Sequence, residues 1–359
     1  MSTQTIAVIA GDGIGKEVVP AAIPCIDAAL ARYGTTVEWN HLPWGSDLYL
    51  QTGAMMPEDG IQVLGEHDAI FLGAVGLPEI PDVATLWGLL IPIRREFQQY
   101  INLRPVRALP GISSPVRGGD DIDLLLVREN NEGEYSEIGG RVFRGLPEEA
   151  AIQENVFTRK GVSRAARYAA TLATTRRGLV TSATKSNGII HTMPFWDEVV
   201  EEVLADYPGV QLEKILIDAL AAKLILRPGA FDVIVASNLF GDILSDLAGA
   251  IAGSIGVAPS ANLNPEGEFP SLFEPVHGSA PDIAGQGIAN PIGQIWTGAM
   301  MLEHLGHTDA AADLTRAFES ALRDGVRTRD LGGTASTTEM SDAVLQRLVA
   351  ADREPTPTH

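Results

Sequence analysis

The sequence predicts an α/β protein, a largely parallel, helix-covered sheet divided between two α/β domains that share the chain discontinuously. Three observations carry that expectation. Short unbroken apolar runs at Thr5–Ala10, Ala69–Gly73 and Val233–Ala236 have the length and composition of strands buried on both faces. Longer segments of helical periodicity separate them, and such alternation builds parallel sheets. The 359 residues, 45% of them hydrophobic, suffice for two cores, yet no internal repeat or low-complexity linker divides them.

Taken in order, Thr5–Ala10 forms the first strand, Gly11-Asp12-Gly13-Ile14-Gly15 a turn, and a helix follows from about Lys16. A strand near Thr36–Trp39, a helix near Glu58–Gly65 and the strand Ala69–Gly73 come next. Beyond Pro78 and Pro81 the pattern predicts a helix over Trp87–Tyr100, although Pro92 inside it removes a backbone donor. Strand pieces at Leu103–Ala108 and Ile122–Arg128 follow, then a polar excursion, Asn130–Gly145. Helices over Gly161–Thr174 and Ile189–Leu204, with strands at Leu179–Ser182 and Glu213–Ile217, lead to Val233–Ala236 and a helix starting near Phe240. Gly256–Gly293 reads as loop-rich. Helices near Ile295–Leu305, Ala310–Asp324 and Thr338–Ala350 and a disordered tail, Asp352–His359, complete the expectation.

A formal net charge of −20 argues against nucleic acid and anionic membranes, which both need a basic surface. It does not exclude anionic substrates met by local arginines. Cys25 is the only cysteine, so no internal disulfide or cysteine-based metal cluster is expected. The start, MSTQTIAVIAGDG, lacks a basic segment and a long apolar run, unlike a signal peptide. The longest uncharged stretch, Leu247–Pro265, is broken by Gly, Pro, Ser and Asn, unlike a membrane span. A cytoplasmic protein is expected.

The helix after Val233–Ala236 carries the most chemistry. Phe240, Ile243, Leu244, Leu247 and Ile251 make one apolar stripe, and Asp242 and Asp246 stand four apart on another face. No basic residue three or four positions away neutralises them. A solvated face normally carries Lys, Glu and Gln, whereas here Gly241, Ser245, Ala248, Gly249 and Ala252 surround the pair. Two readings stand: an ordinary acidic surface, or a carboxylate pair whose repulsion a hard divalent cation relieves.

Other motifs say less. The Gly11–Glu17 turn is neither G-x-G-x-x-G nor a P-loop, since Lys16 takes the third glycine position and Glu17 the magnesium-binding one. Arg94, Arg104 and Arg128 suit bidentate capture of carboxylates, or internal ion pairs. Tyr135 in Arg128–Tyr135 and Lys185 in Thr184–Gly188 each lie in a polar turn. Glu274–Asp282 (EPVHGSAPD) has the groups of a ribose or pyrophosphate loop, or of an ordinary loop with a satisfied histidine.

Together these segments resemble the β-decarboxylating hydroxyacid dehydrogenases, the isocitrate/isopropylmalate dehydrogenase family, from Ile6–Gly15 to Asp330-Leu331-Gly332-Gly333. Asn238-Leu239-Phe240-Gly241-Asp242-Ile243-Leu244-Ser245-Asp246 is the strongest signature. Leu86-Trp87-Gly88, Arg94-Arg95-Glu96-Phe97, Gln99-Tyr100, Phe157-Thr158-Arg159 and Ser182–Gly188 look like its tartrate and D-malate dehydrogenase branch. The resemblance implies that family's fold, with a cofactor-side domain from 1–99 and 254–359 and a substrate, metal and dimerisation domain from 100–253. It implies that Asp242 and Asp246 hold Mg²⁺ or Mn²⁺ together with Asp218 from a partner subunit, and it leaves a K⁺ requirement open. Arg94, Arg104 and Arg128 match the substrate-carboxylate arginines. Lys185, also from the partner, matches the base that takes the hydroxyl proton, and Tyr135 the acid that protonates C3. Asn187, Glu274, His277, Gly278, Ser279, Ala280, Asp282 and Asn290 match the cofactor-binding positions. Asp282 favours NAD, because its carboxylate accepts from ribose hydroxyls and repels a 2′-phosphate.

The implied activity is NAD-dependent oxidative decarboxylation of a (2R)-hydroxy dicarboxylic acid, D-malate to pyruvate and CO2 or tartrate oxidation, in a homodimer with shared sites. Trp87, with Leu90, is expected to shrink the space beside C3. The small-residue face of the metal helix is expected to pack against the partner. Alternatives are 3-isopropylmalate dehydrogenase and, in another class, a non-catalytic regulatory subunit of a related enzyme. A nucleotide-binding module rests on the N-terminal glycines alone.

Overall fold

A computed structural model of the chain describes residues 3–350, so the tail Asp352–His359 lies outside the described residues. The elements in chain order are β1 (Gln4–Gly11), α1 (Gly15–Ala31), β2 (Val37–His41), α2 (Ser46–Thr52), α3 (Gly60–Leu64), β3 (Ala69–Ala74), α4 (Asp82–Thr85), a π-helical turn (Leu86–Leu90) and α5 (Ile91–Glu96). Then come β4 (Ile101–Arg107), β5 (Asp123–Glu129), β6 (Gly139–Val142), β7 (Ala150–Gln153), α6 (Arg159–Thr174), β8 (Leu179–Thr184), α7 (Thr192–Leu204), β9 (Gln211–Leu216), α8 (Ile217–Leu226), β10 (Val233–Ala236) and α9 (Asn238–Ile251). The chain ends with β11 (Pro259–Leu263), β12 (Ser271–Pro275), α10 (Ile292–His304), α11 (Thr308–Arg323) and α12 (Thr337–Ala350). Two compact units divide these elements.

The first unit comprises the described parts of Met1–Gln99, Ala108–Pro115 and Ala252–His359. Its strands run in the order β2-β1-β3-β12-β11, parallel except for β11 against β12. Ala7, Ile9, Ile70, Leu72 and Leu272 form a buried cluster with Leu64, Leu89, Ile93 and Phe97. On the helical side α1, α10, α11 and α12 pack on one another.

Two expectations need correction here. The stretch Gly256–Gly293, expected to be loop-rich, holds two fully buried strands that the sequence reading missed, β11 and β12. Their polar residues are satisfied within the sheet: Asn262 Nδ2 donates to Glu274 Oε1 at 2.8 Å, and Ser271 Oγ accepts from Asn264 N at 3.0 Å. The predicted helix over Trp87–Tyr100 instead starts at Asp82 and stops at Glu96. Pro92 stands at the start of α5, just after the π turn, where Ile91 N–H reaches five residues back to Leu86 O. The wider turn absorbs the proline's missing donor.

The second unit comprises Tyr100–Arg107 and Val116–Ile251. Its strands run β4-β5-β10-β8-β9, parallel except for β4 against β5. Helix α6 packs on β5, β10 and α7, and α9 packs on β5 and β10. The polar excursion Asn130–Gly145 contains β6, which pairs antiparallel with β7 just beyond it, and the residues of both strands are exposed.

The faces of α9 depart from the predicted stripe. Gly241, Ser245, Ala248 and Gly249 are buried within the chain itself, whereas Ile243 is 54% exposed. The small residues therefore serve this chain's own packing rather than waiting for a partner. A Cβ added at Gly241 would stand 2.7 Å from the Cβ of Arg128. Only glycine lets the helix approach that strand so closely.

Candidate active site

Arg128 sits near the end of β5 in register with Ala236 of β10, and the next elements along the chain, the 130–136 turn and α9, begin at those strand ends. Buried Arg128 donates from Nε and Nη2 to Asn238 Oδ1 at 2.9 and 2.6 Å and from Nη1 to Asp242 Oδ1. Arg104, on the neighbouring strand β4, donates to Asn102 Oδ1 at 2.7 Å and to Ser245 Oγ at 2.5 Å. Its guanidinium also lies 3.6 Å from Asp242 and 3.4 Å from Asp246. Tyr135 donates its hydroxyl to Asp242 Oδ2 at 3.1 Å, and its ring lies 5.5 Å from the Arg128 guanidinium carbon.

The acidic pair on α9 is thus not an isolated surface feature. Its repulsion is met by two arginines from adjacent strands, a relation that spacing along the helix could not reveal. Partial burial raises the Asp246 pKa above the ordinary carboxylate value; Arg104 opposes the shift and the like charge of Asp242 adds to it. Two oxygen donors one helical turn apart fit a hard divalent ion, which favours carboxylates and would relieve that strain.

Lys185 and Asp218 form a separate group. Lys185 follows β8, Asp218 lies in the first turn of α8, and Nζ stands 2.5 Å from Oδ1. The lysine's hydrogen bond holds the exposed Asp218 carboxyl below its ordinary pKa. Among the described residues no set of three His, Cys, Asp or Glu side chains gathers closely enough to hold a metal, so Asp218 does not join Asp242 and Asp246 within one chain. Asn187 is exposed in the turn after Lys185.

The remaining predicted residues belong to the first unit. Buried Arg94 donates from Nη2 to Glu274 Oε1 at 3.0 Å, so these two side chains hold each other. In the segment after β12, Ser279 O accepts from Ile14 N at 2.8 Å. A Cβ on Gly13 would overlap that same carbonyl, and Ala280 carries a φ of 41°. Gly13 therefore serves close packing against Ser279, while Gly11 and Gly15 serve the close approach of Ala74 and Ala10. His277 Nδ1 pairs with Gly278 O at 3.0 Å, and burial lowers the ring's pKa. Gly278 and Asp282 are exposed. Asn290 bridges Asp330 Oδ2, at 3.0 Å, and the backbone N–H of Ile292. Trp87 stands on the π turn with Arg95 4.9 Å over its ring, and Leu90 packs on the buried cluster of this unit.

The sequence did not reveal that Asn238 and Ser245 hold the two arginines, or the partners of Asp12 and Glu17. Asp12 is buried, accepting from Ser46 N at 2.9 Å, Ser46 Oγ at 2.6 Å and Gly76 N at 2.8 Å. Glu17 accepts from Gly285 and Gly287 at 2.5 and 2.9 Å, so it ties a loop rather than a metal.

Comparison with known proteins shows the family. A family model described as isocitrate/isopropylmalate dehydrogenase matches residues 5–344. A probable tartrate dehydrogenase/decarboxylase of Bacillus subtilis (strain 168) is 55% identical over 350 residues, covering 97% of this chain and 99% of the relative. The D-malate dehydrogenase (decarboxylating) of Escherichia coli (strain K12) is 53% identical over 356 residues, covering 96% and 99%. Among solved structures, isocitrate dehydrogenase from Methylococcus capsulatus superposes with a TM-score of 0.88 at 35% identity, covering 96% of this chain and 99% of that one. No helix among the described residues is long and apolar enough to cross a membrane. With its α/β architecture, its carboxylate pair on α9 and matches along nearly its whole length, the chain belongs to the isocitrate/isopropylmalate dehydrogenase family.

Proposed function

We propose that the chain is a cytoplasmic, homodimeric, NAD- and divalent-metal-dependent dehydrogenase that oxidatively decarboxylates a (2R)-hydroxy dicarboxylic acid, D-malate to pyruvate and CO2, and oxidises tartrate. The observation that carries the proposal is the convergence of Arg104, Arg128 and Tyr135 on Asp242, with Asp246 one turn away. The names of the relatives support the substrate class.

Arg104 and Arg128, with Arg94, bind the substrate's carboxylates. Each already holds a side-chain carboxylate in this structure, and a guanidinium fork matches that group bidentately. Asp242 and Asp246, with Asp218 of a second copy, would hold Mg²⁺ or Mn²⁺, whose charge stabilises the negative charge that grows on the substrate's 2-oxygen. The cofactor residues Asn187, Glu274, 277–280, Asp282 and Asn290 would bind NAD, the acceptor of the hydride from C2. Lys185 of the second copy takes the hydroxyl proton as that hydride leaves. The 2-keto acid then loses CO2 from C3, leaving an electron pair there, and Tyr135 donates its proton to C3. Trp87 and Leu90 restrict the C3 substituent to hydrogen or hydroxyl.

A panel of D-malate, tartrates, 3-isopropylmalate and isocitrate, assayed with NAD and NADP in Mg²⁺ or Mn²⁺, tests this. The expected result is a kcat/KM for D-malate with NAD above that for 3-isopropylmalate. The reverse order would favour isopropylmalate dehydrogenase, and an inactive purified chain would favour a regulatory subunit. Tyr135, Lys185 and all three aspartates speak against the latter.

A further inference from the structure

Tyr135 lies in an irregular turn, a weak platform for a proton donor, yet the turn is held by carboxylates at three points. Glu129, fully buried at the end of β5, accepts from the backbone N–H of Asn131 at 3.2 Å and of Glu132 at 2.8 Å. Glu132 accepts from Thr158 N at 2.8 Å and Thr158 Oγ1 at 2.6 Å. Thr158 is the N-cap of α6, and its Oγ1 accepts from Gly161 N at 3.0 Å. A Cβ on Gly161 would overlap the Glu132 carboxylate, so the helix is cut away where the glutamate sits. Glu134 accepts from Ser237 Oγ at 2.8 Å and from Leu239 N at 3.0 Å, in the first turn of α9. Both carboxylates thus lie at helix N-termini, where backbone N–H groups lack intrahelical partners and negative charge is favoured.

The geometry connects these clamps to the candidate site. Helix α9, which Glu134 grips, also carries Asp242, the acceptor of the Tyr135 hydroxyl. Asn238 of the same helix donates to Glu132 O at 3.2 Å while accepting from Arg128. We propose that Glu132 and Glu134 are positioning residues for Tyr135, which fix its turn to the starts of α6 and α9 so that its hydroxyl stays beside Asp242. Neither touches the reacting atoms. The inference rests on Tyr135 being the proton donor of the proposed reaction.

A double-mutant cycle tests it. Glu134→Ala should lower kcat about tenfold or more while KM for D-malate stays within about twofold, because a misplaced catalytic group costs rate rather than binding. Glu134→Gln, which keeps one acceptor, should recover part of the loss. In a Tyr135→Phe background Glu134→Ala should cause no further loss, since its effect runs through the missing hydroxyl. Equal losses in both backgrounds would overturn the positioning role while leaving Tyr135 as the donor. A Tyr135→Phe variant with unchanged kcat would overturn the donor reading, and this inference with it. Thermal unfolding of each variant reports folding; if Glu134→Ala fails to fold, Glu134→Gln and Glu132→Gln carry the same cycle.

Discussion

The hydroxyl of Tyr135 donates to Oδ2 of Asp242 at 3.1 Å, so the proposed proton donor and a proposed metal ligand share one hydrogen bond. Removing the hydroxyl should slow the chemistry without emptying the metal site. Tyr135→Phe is expected to lower kcat by roughly 10²–10⁴-fold, the usual worth of a placed acid. Mn²⁺ affinity, read by electron paramagnetic resonance, should change by less than about threefold, because only a neutral donor is lost.

The separation of the Lys185–Asp218 pair from Asp242 and Asp246 predicts complementation between copies. Lys185→Ala and Asp242→Asn should each be inactive alone. Refolded together in equal amounts, they should regain about a quarter of wild-type activity, since half the dimers are mixed and each mixed dimer has one intact site. No recovery would mean that each copy completes its own site.

Glu129 links stability to pH. Burial pushes its carboxyl from 4.5 up to about 7, while the turn's N–H groups and Arg164 pull the other way. The folded state therefore holds this proton more tightly than the unfolded chain does. Its contribution to stability is complete below pH 4.5 and is lost as pH rises through about 7. Urea unfolding at pH 5 and pH 8 should show Glu129→Gln gaining roughly 2–3 kcal/mol on the wild type between those two values.

Trp87 should control size selection. Trp87→Ala is expected to raise kcat/KM for 3-isopropylmalate relative to D-malate by roughly tenfold, the worth of a few methylenes in a pocket. An unchanged ratio would place the indole, which stacks with Arg95, outside the substrate pocket.

The fold was legible where burial left a one-dimensional trace. The runs at β1, β3 and β10 are apolar because the residues there are buried, and Asp242 and Asp246 could be paired because a helix repeats every 3.6 residues. Strands β11 and β12 left no such trace: Asn262 and Glu274 satisfy each other across the sheet, and a satisfied polar residue reads as loop. The arginines that answer the acidic pair were visible as residues but not as partners, since Arg104 is 138 positions from Asp242 and meets it only through strand pairing. Glu132 and Glu134 were hidden for the same reason: the groups they hold, at Thr158, Ser237 and Leu239, lie 26 to 105 positions further along the chain. The glycine turn had no partner visible in the sequence: Gly11 and Gly15 are required by the close approach of Ala74 and Ala10, and Gly13 by that of the Ser279 carbonyl.

That last contact restricts how the protein can be re-engineered. Gly13 leaves no room beneath the Ser279 carbonyl, so the N-terminal turn and the 277–280 segment fit together as one piece although Gly13 and Ser279 lie 266 positions apart in the chain. Replacing 276–283, the segment proposed to bind the coenzyme, with that of a relative will succeed only if the donor backbone passes Gly13 in the same place. Otherwise residues 11–15 must be transplanted with it.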